Sequence, residues 1–319
     1  IGDLKQFISE LNISQLPTNV PPKVLTGLLF GMLERCEEIS ELRSQIGLMK
    51  TLHHSLKDEY TLIENELHAA AIVQREFMSN NVPAVHGATF STLWKPLGVV
   101  SGDIFDITQL DDNHVAFFIA DAIGHGIPAA MLAMMLTRTL ASNRFDPISG
   151  QYTEPKDLLI NLNESLLQRI GDQARFATAA YGILNCKTNE LKYAGAGHPP
   201  AILNKSNASY KLLDSGGPLL GVFDNANDFS QQCVQLDYGD TLLVYSDGFE
   251  SIFGTTSHED RKTPRYIEAI SKFCDQKNVN TLGRITKYLD NTLPSTIEDD
   301  LTMICLQTAS KATCEKLAA

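Results

Sequence analysis

Two different hydrophobic periods divide the chain. From Ile39 to Phe77 a heptad runs with Ile39, Ile46, His53, Tyr60, Leu67 and Gln74 at position a, and Leu42, Met49, Leu56, Ile63, Ala70 and Phe77 at position d. A 3.5-residue repeat with every d position apolar keeps one seam facing a partner helix. It also outlasts the ordinary helix of about 10 to 14 residues. The pattern therefore predicts a dimeric coiled coil over about 39–77. A helix packed on its own domain is the alternative reading. His53 and Gln74 weaken the seam and can set its register. A shorter helix is expected before the stretch from Pro17 to Pro22.

Past Pro83 the period shortens. β-like runs cover Thr89–Trp94, Val115–Ala120, Phe176–Leu184, Leu191–Ala194, Thr241–Ser246 and finally Leu301–Gln307. The loop from Cys186 to Glu190 joins two of them as a hairpin would. Pro128 opens a helical stretch to about Asn143, with Met131, Met134, Met135 and Leu136 turned inward. Another runs from Pro155 to about Ile170, and helical patterns return at Tyr266–Cys274 and Thr281–Leu293. Runs of strands with helices between them predict an antiparallel α+β layered domain over 81–315, preceded by a helical linker over 1–80.

Composition narrows the options. The 319 residues are 43% hydrophobic and 20% charged, enough for a substantial core. Lys and Arg number 26 against 38 Asp and Glu, a formal charge of -12, which argues against general affinity for nucleic acid or an anionic membrane. The six cysteines contain no CxxC pair, and no apolar run approaches the roughly 20 residues of a membrane span. A cytoplasmic location is expected. The opening at Ile1 and the vector-like tail at 316–319 suggest a cloned fragment lacking an upstream domain.

Acidic residues stand at four expected strand ends. Asp103 follows a glycine in Val100–Asp106, Asp121 ends the apolar run Phe117–Ala120, Asp247 follows Thr241–Ser246, and Asp299 and Asp300 precede the last strand. Asp247-Gly248 taken singly suits a turn. Several carboxylates gathered on one side of a layered fold repel one another and call for a cation. An all-oxygen set favours Mg²⁺ or Mn²⁺ over Zn²⁺.

The ordered set SGDIFD, IADAIGHGIPAAM, ATAAYGIL, YAGAGHPP, YSDGFES and EDDLTM resembles the metal-dependent protein phosphatases, the 2C-like family. The branch resembled is that of stage II sporulation protein E and the RsbU stress regulators. The likeness runs from about Ala71 to Thr308, departing at Ser101 where the branch usually has glycine. It implies a four-layer α/β/β/α sandwich of two antiparallel sheets with a two-metal centre at one edge. Asp121 would bridge both ions, the Ala122 carbonyl would add a backbone ligand, and Asp103, Asp247 and Asp299 would complete the set. Asp121 and Asp247 would be the residues on which turnover depends. Asp300 would orient water or Asp299, and Asp106 would stand behind the ligands. His125 is a candidate acid near the leaving oxygen, or a turn histidine, and His198 is read as structural.

The implied activity is hydrolysis of phosphoserine or phosphothreonine by metal-activated water. The implied partners are a phosphorylated STAS-domain anti-sigma factor antagonist as substrate, a second copy in a parallel homodimer, and an upstream receiver or sensor domain. The competing reading is a catalytically weak scaffold with a phosphatase-like fold, which would be expected to have lost one of the acids.

Overall fold

The computed structural model describes residues 21–78, 87–168, 175–207, 209–214, 216–224, 228–253, 269–274, 280–292 and 297–309, with positions 19, 83 and 85. The chain forms two compact units, 1–65 and 66–319. In the first, the described structure is the leading part of one long helix, α1 (Pro22–Glu76). Leu42, Ile46, Met49, Leu56 and Ile63 on it are all exposed. The short helix expected before Pro17 lies outside the described residues, as does the tail at 316–319.

The second unit holds the last turns of α1 and two sheets. One is five-stranded, in the order β1 (Ala88–Lys95), β11 (Leu301–Thr308), β10 (Thr241–Tyr245), β6 (Ala201–Asn204) and β7 (Tyr210–Leu213). The other runs β2 (Asp103–Gln109), β3 (His114–Ala122), β4 (Ala177–Asn185), β5 (Glu190–Ala196) and β8 (Gly216–Gly217), with β9 (Gln231–Gln235) also paired to β5. Among the described strands, only the two-residue β5–β8 pairing is parallel. The sandwich expected from the resemblance is present.

Alternation along the strands explains the layers. In β10 and β11, Leu242, Val244, Ile304 and Leu306 enter the core between the sheets. Their neighbours Leu243, Tyr245, Met303 and Cys305 face outward, where Leu282, Ile285 and Leu289 of α5 (Thr281–Thr292) cover them. β3 is buried on both faces because helices cover its sheet as well, so it reads as a continuous apolar run rather than an alternating one.

Those covering helices are α2 (Ile127–Asn143) and α3 (Pro155–Leu167), each with proline in its first turn, where a missing N–H leaves no helical bond unmade. Met131 corrects the sequence reading: it is 62% exposed. The inward stripe of α2 is Ala129, Ala130, Leu132, Ala133, Leu136 and Leu140, whose small alanines let the helix lie close to the strands. Of the pattern at Tyr266–Cys274, residues 266–268 lie outside the described residues and 269–271 are helical.

Candidate metal centre

The two sheets bring the acids together through strand register. Asp103 opens β2 and is the direct cross-strand partner of Asp121 near the end of β3. From the other sheet, Asp247 follows β10 and begins the short helix α4 (Gly248–Ile252), and Asp299 and Asp300 lead into β11. Within that sheet the segments carrying Asp247 and Asp299 are tied together: the Ser246 N–H donates to the Thr302 carbonyl (2.9 Å), and the Thr302 N–H donates to Ser246 Oγ (3.0 Å). Trp94 of β1 donates from Nε1 to the Asp103 carbonyl across the sandwich, at 3.4 Å.

The electrostatics show that these carboxylates share one site. Burial raises Asp121 far above the ordinary carboxylate range, and the charges of Asp103, Asp247, Asp299 and Asp300 raise it further. Asp103, 1% exposed, is likewise raised by burial, and then by Asp300 and Asp247, with partial relief from the Ser246 and Thr302 hydroxyls. Asp103 Oδ2 and Thr302 Oγ1 are nevertheless buried without a well-formed hydrogen bond. Asp299 is raised by desolvation and its acidic neighbours, while His125 acts against the rise. Asp247, at the N-cap of α4, makes no side-chain capping bond to that helix.

A hard divalent cation fits these residues. The donors are all oxygen, and among the described residues one buried carboxylate oxygen, Asp103 Oδ2, has no hydrogen-bond partner. Among the described residues no three His, Cys, Asp or Glu side chains close on a common point as a finished cage. Asp103, Asp121 and Asp247, with the Ala122 carbonyl and Asp299 at the rim, are the residues that would hold such ions.

Two acids expected near the ligands have other partners. Asp300 accepts the Leu97 N–H on Oδ1 (2.6 Å) and the Gly102 N–H on Oδ2 (2.7 Å), so both oxygens hold the loop that leads into Asp103. Asp106 pairs with the Arg144 guanidinium and accepts the Thr108 hydroxyl at 2.8 Å. His198 is buried, with Nδ1 2.9 Å from the hydroxyl of Thr178, the β4 partner of Asp121. Burial pushes its imidazole down to about 3, which keeps it neutral and suits a structural role. His125 is exposed and lines a pocket of about 270 Å³ with Leu67, Leu97, Val100, Ile127 and Asp300.

Glycine 102 performs the task its motif suggested. A Cβ there would stand 3.0 Å from the Ala122 carbonyl oxygen and 3.3 Å from Ala129 Cβ, a tight fit, so glycine lets the loop lie close against the expected backbone ligand. Sequence reasoning missed Trp94, Ser246, Thr302 and Gln74. The only signal for Gln74 was a polar residue in a seam position; for Trp94, it was being the chain's single tryptophan.

The family model described as stage II sporulation protein E (SpoIIE) matches residues 111–309, well over half of the chain. The chain belongs to the SpoIIE family. It is 29% identical over 204 residues to the phosphoserine phosphatase RsbU of Bacillus subtilis, a match covering 63% of this chain and 58% of RsbU. The chain thus spans little more than half of that relative. Among solved structures, the RsbU and RsbW domains of Rv1364c from Mycobacterium tuberculosis align with a TM-score of 0.58 at 26% identity, covering 72% of this chain and 62% of that one. The SiaA-PP2C domain of Pseudomonas aeruginosa aligns at 0.63 and 18% identity, covering 78% and 98%. The catalytic domain of the serine/threonine phosphatase PstP, solved with 2 manganese ions, aligns at 0.50 and 10%, covering 70% and 99%.

Proposed function

We propose that this SpoIIE-family chain is a Mn²⁺- or Mg²⁺-dependent protein phosphatase that uses two ions to hydrolyse phosphoserine or phosphothreonine in a protein. Its substrate is a phosphorylated STAS-domain anti-sigma factor antagonist of a partner-switching pathway. The observation that carries this reading is the mutually repelling pair of buried Asp103 and half-buried Asp121, with Asp247 and Asp299 adding charge to the same site. The named activity of RsbU supports it. Bound ions supply an acidified water and neutralise the phosphoryl oxygens.

The chain's own residues set the geometry. Asp103 and Asp121, held by adjacent strands, present rigid carboxylates. Asp247 and Asp299 reach the same site from the second sheet. Asp300 holds the loop preceding Asp103. The retained acids weigh against the scaffold reading.

The test is phosphate release from the phosphorylated STAS protein encoded nearest the gene, with and without Mn²⁺. Metal-dependent release that exceeds the rate on small phosphoesters is expected. Faster hydrolysis of a nucleotide or sugar phosphate than of every phosphoprotein tried would overturn the substrate assignment and leave the chemistry standing.

The exposed Leu42, Ile46, Met49, Leu56 and Ile63 on α1 support the parallel homodimer expected over about Ile39 to Phe77. Charged residues at Leu42 and Leu56 together should make the protein monomeric by light scattering. A wild-type monomer at micromolar concentration would rule the dimer out. No helix among the described residues is long and apolar enough to cross a membrane.

A further inference from the structure

The chain changes sheets between β5 and β6: β5 ends at Ala196 in one sheet, and β6 begins at Ala201 in the other. His198 stands on that crossing, 3% exposed, and is followed by the buried Pro199 and Pro200. The fixed φ of the two prolines stiffens the connection. The Gly197 N–H before it donates to the Gly217 carbonyl at 2.8 Å. A turn by itself needs no imidazole in its interior, and burying one costs free energy unless its nitrogens find partners.

The ring reaches both halves of the metal centre. Its Nδ1 lies 2.9 Å from Thr178 Oγ1, and Thr178 is the direct cross-strand partner of Asp121. Direct partners put their side chains on the same face of a sheet, so the Thr178 hydroxyl stands beside that carboxylate. From the opposite sheet the Tyr245 carbonyl acts on the same ring, and Tyr245 ends β10 just before Ser246 and Asp247. Nε2 is buried without a well-formed hydrogen bond, so the firm link is the one to Thr178. On the Asp103 side the sheets are joined by Trp94 and Asp300. His198 spans them between Asp121 and Asp247.

We propose that His198 is a positioning residue for the metal centre: lodged between the Thr178 hydroxyl and the Tyr245 carbonyl, it sets the gap between the two sheets and with it the spacing of Asp121 from Asp247. Two ions that share a water need their ligands at a fixed separation, on the order of 3.5–4 Å between the metals. Carboxylates that repel one another do not hold such a spacing unaided. A flat, rigid ring between the strands that carry them does, and Thr178 is the arm through which it acts on Asp121. This inference rests on the metal-dependent reading above.

The test compares wild type with His198→Phe, which keeps a flat ring without polar atoms, His198→Asn, whose amide stands where Nδ1 does, and Thr178→Val, which removes the hydroxyl and keeps the shape. Leu289→Ala, in the cluster under α5, is the packing control. Mn²⁺ binding is followed by electron paramagnetic resonance, and Tm is recorded for each. His198→Phe and Thr178→Val should each weaken Mn²⁺ binding about tenfold, the scale of losing a supporting partner of a ligand. The double variant should bind no more weakly than His198→Phe alone, because both changes break one contact. His198→Asn should recover most of the affinity. Leu289→Ala should lower Tm and leave Mn²⁺ binding unchanged. Unchanged Mn²⁺ affinity in His198→Phe, whatever its Tm, would mean a merely structural role and overturn the proposal. Additive losses in the double variant would overturn it too, as would an equal loss of affinity in Leu289→Ala. If His198→Phe fails to fold, the other two decide: Thr178→Val must lose affinity and His198→Asn must keep it. Absence of Mn²⁺ binding by the wild type would instead bring down the metal-dependent reading itself, and this proposal with it.

Discussion

Asp121→Asn is expected to remove metal-stimulated phosphate release while making the metal-free protein more stable. The activity should fall by on the order of 10²–10³-fold, the scale of losing one preorganised electrostatic group at a reacting centre. The stability gain follows from the environment of Asp121, where burial and four neighbouring carboxylates all disfavour its charge. Its folded-state value lies above the ordinary 3.8, so above that pH the native state retains a proton that the unfolded state has lost. Stability of the metal-free wild type therefore falls as pH rises through this window. Asparagine has no such term. In EDTA, the variant's Tm should match the wild type near pH 4 and exceed it increasingly towards pH 8. Saturating Mn²⁺ should reverse the order, because only the wild type gains full binding energy from the ion. Equal melting at every pH, or a fully active variant, would remove Asp121 from the site.

The second large effect is expected at Gly248. It follows Asp247 and invites reading as a turn glycine, but its φ is not left-handed. Its constraint is space. A Cβ would stand 2.2 Å from the Asp300 carbonyl oxygen and 3.0 Å from Leu301 Cδ2. Backbone must move to admit it, and the residue displaced is the one whose carboxylate holds Leu97 and Gly102. Gly248→Ala should cost about 3 kcal/mol, the upper end of ordinary overpacking. At roughly 2–4 °C per kcal/mol for a domain of this size, Tm falls by about 6–12 °C. Metal-stimulated activity should fall with it, because the loop before Asp103 loses its anchor. Gly98→Ala is the control: its Cβ meets only the Val100 carbonyl oxygen, at an ordinary 3.5 Å. Calorimetry showing the two variants equally stable would refute the packing argument.

The strands that carry the acids were legible because burial imposes a visible composition. The run Val115–Ala120 had to be apolar on both faces of β3, and Asp121 stood out at its end for that reason. β2 was harder to see. It begins at Asp103 and carries Asp106 in its middle, a residue satisfied by Arg144 from beyond α2, so local pattern alone does not announce a strand. Met131 was misplaced for a related reason: every residue of α2 from Ile127 to Leu136 is apolar, and which of them face inward depends on which side of the helix the sheet occupies.

The sequence by itself determined the layered α+β class, the long helix, the family and the acids that stand at strand ends, since each is written in local periodicity or in a contiguous motif. Tertiary structure alone decided what the remaining polar groups do. Asp300 became a loop anchor, Asp106 one side of an ion pair and His198 a buried neutral imidazole. Gln74 left the seam for the Ser101 peptide, although 27 residues separate them. The physical reason is common to all four. A polar side chain's role is set by the partner that satisfies it once it is buried, and these partners come from other strands, other helices or the opposite sheet, at sequence distances no local pattern records.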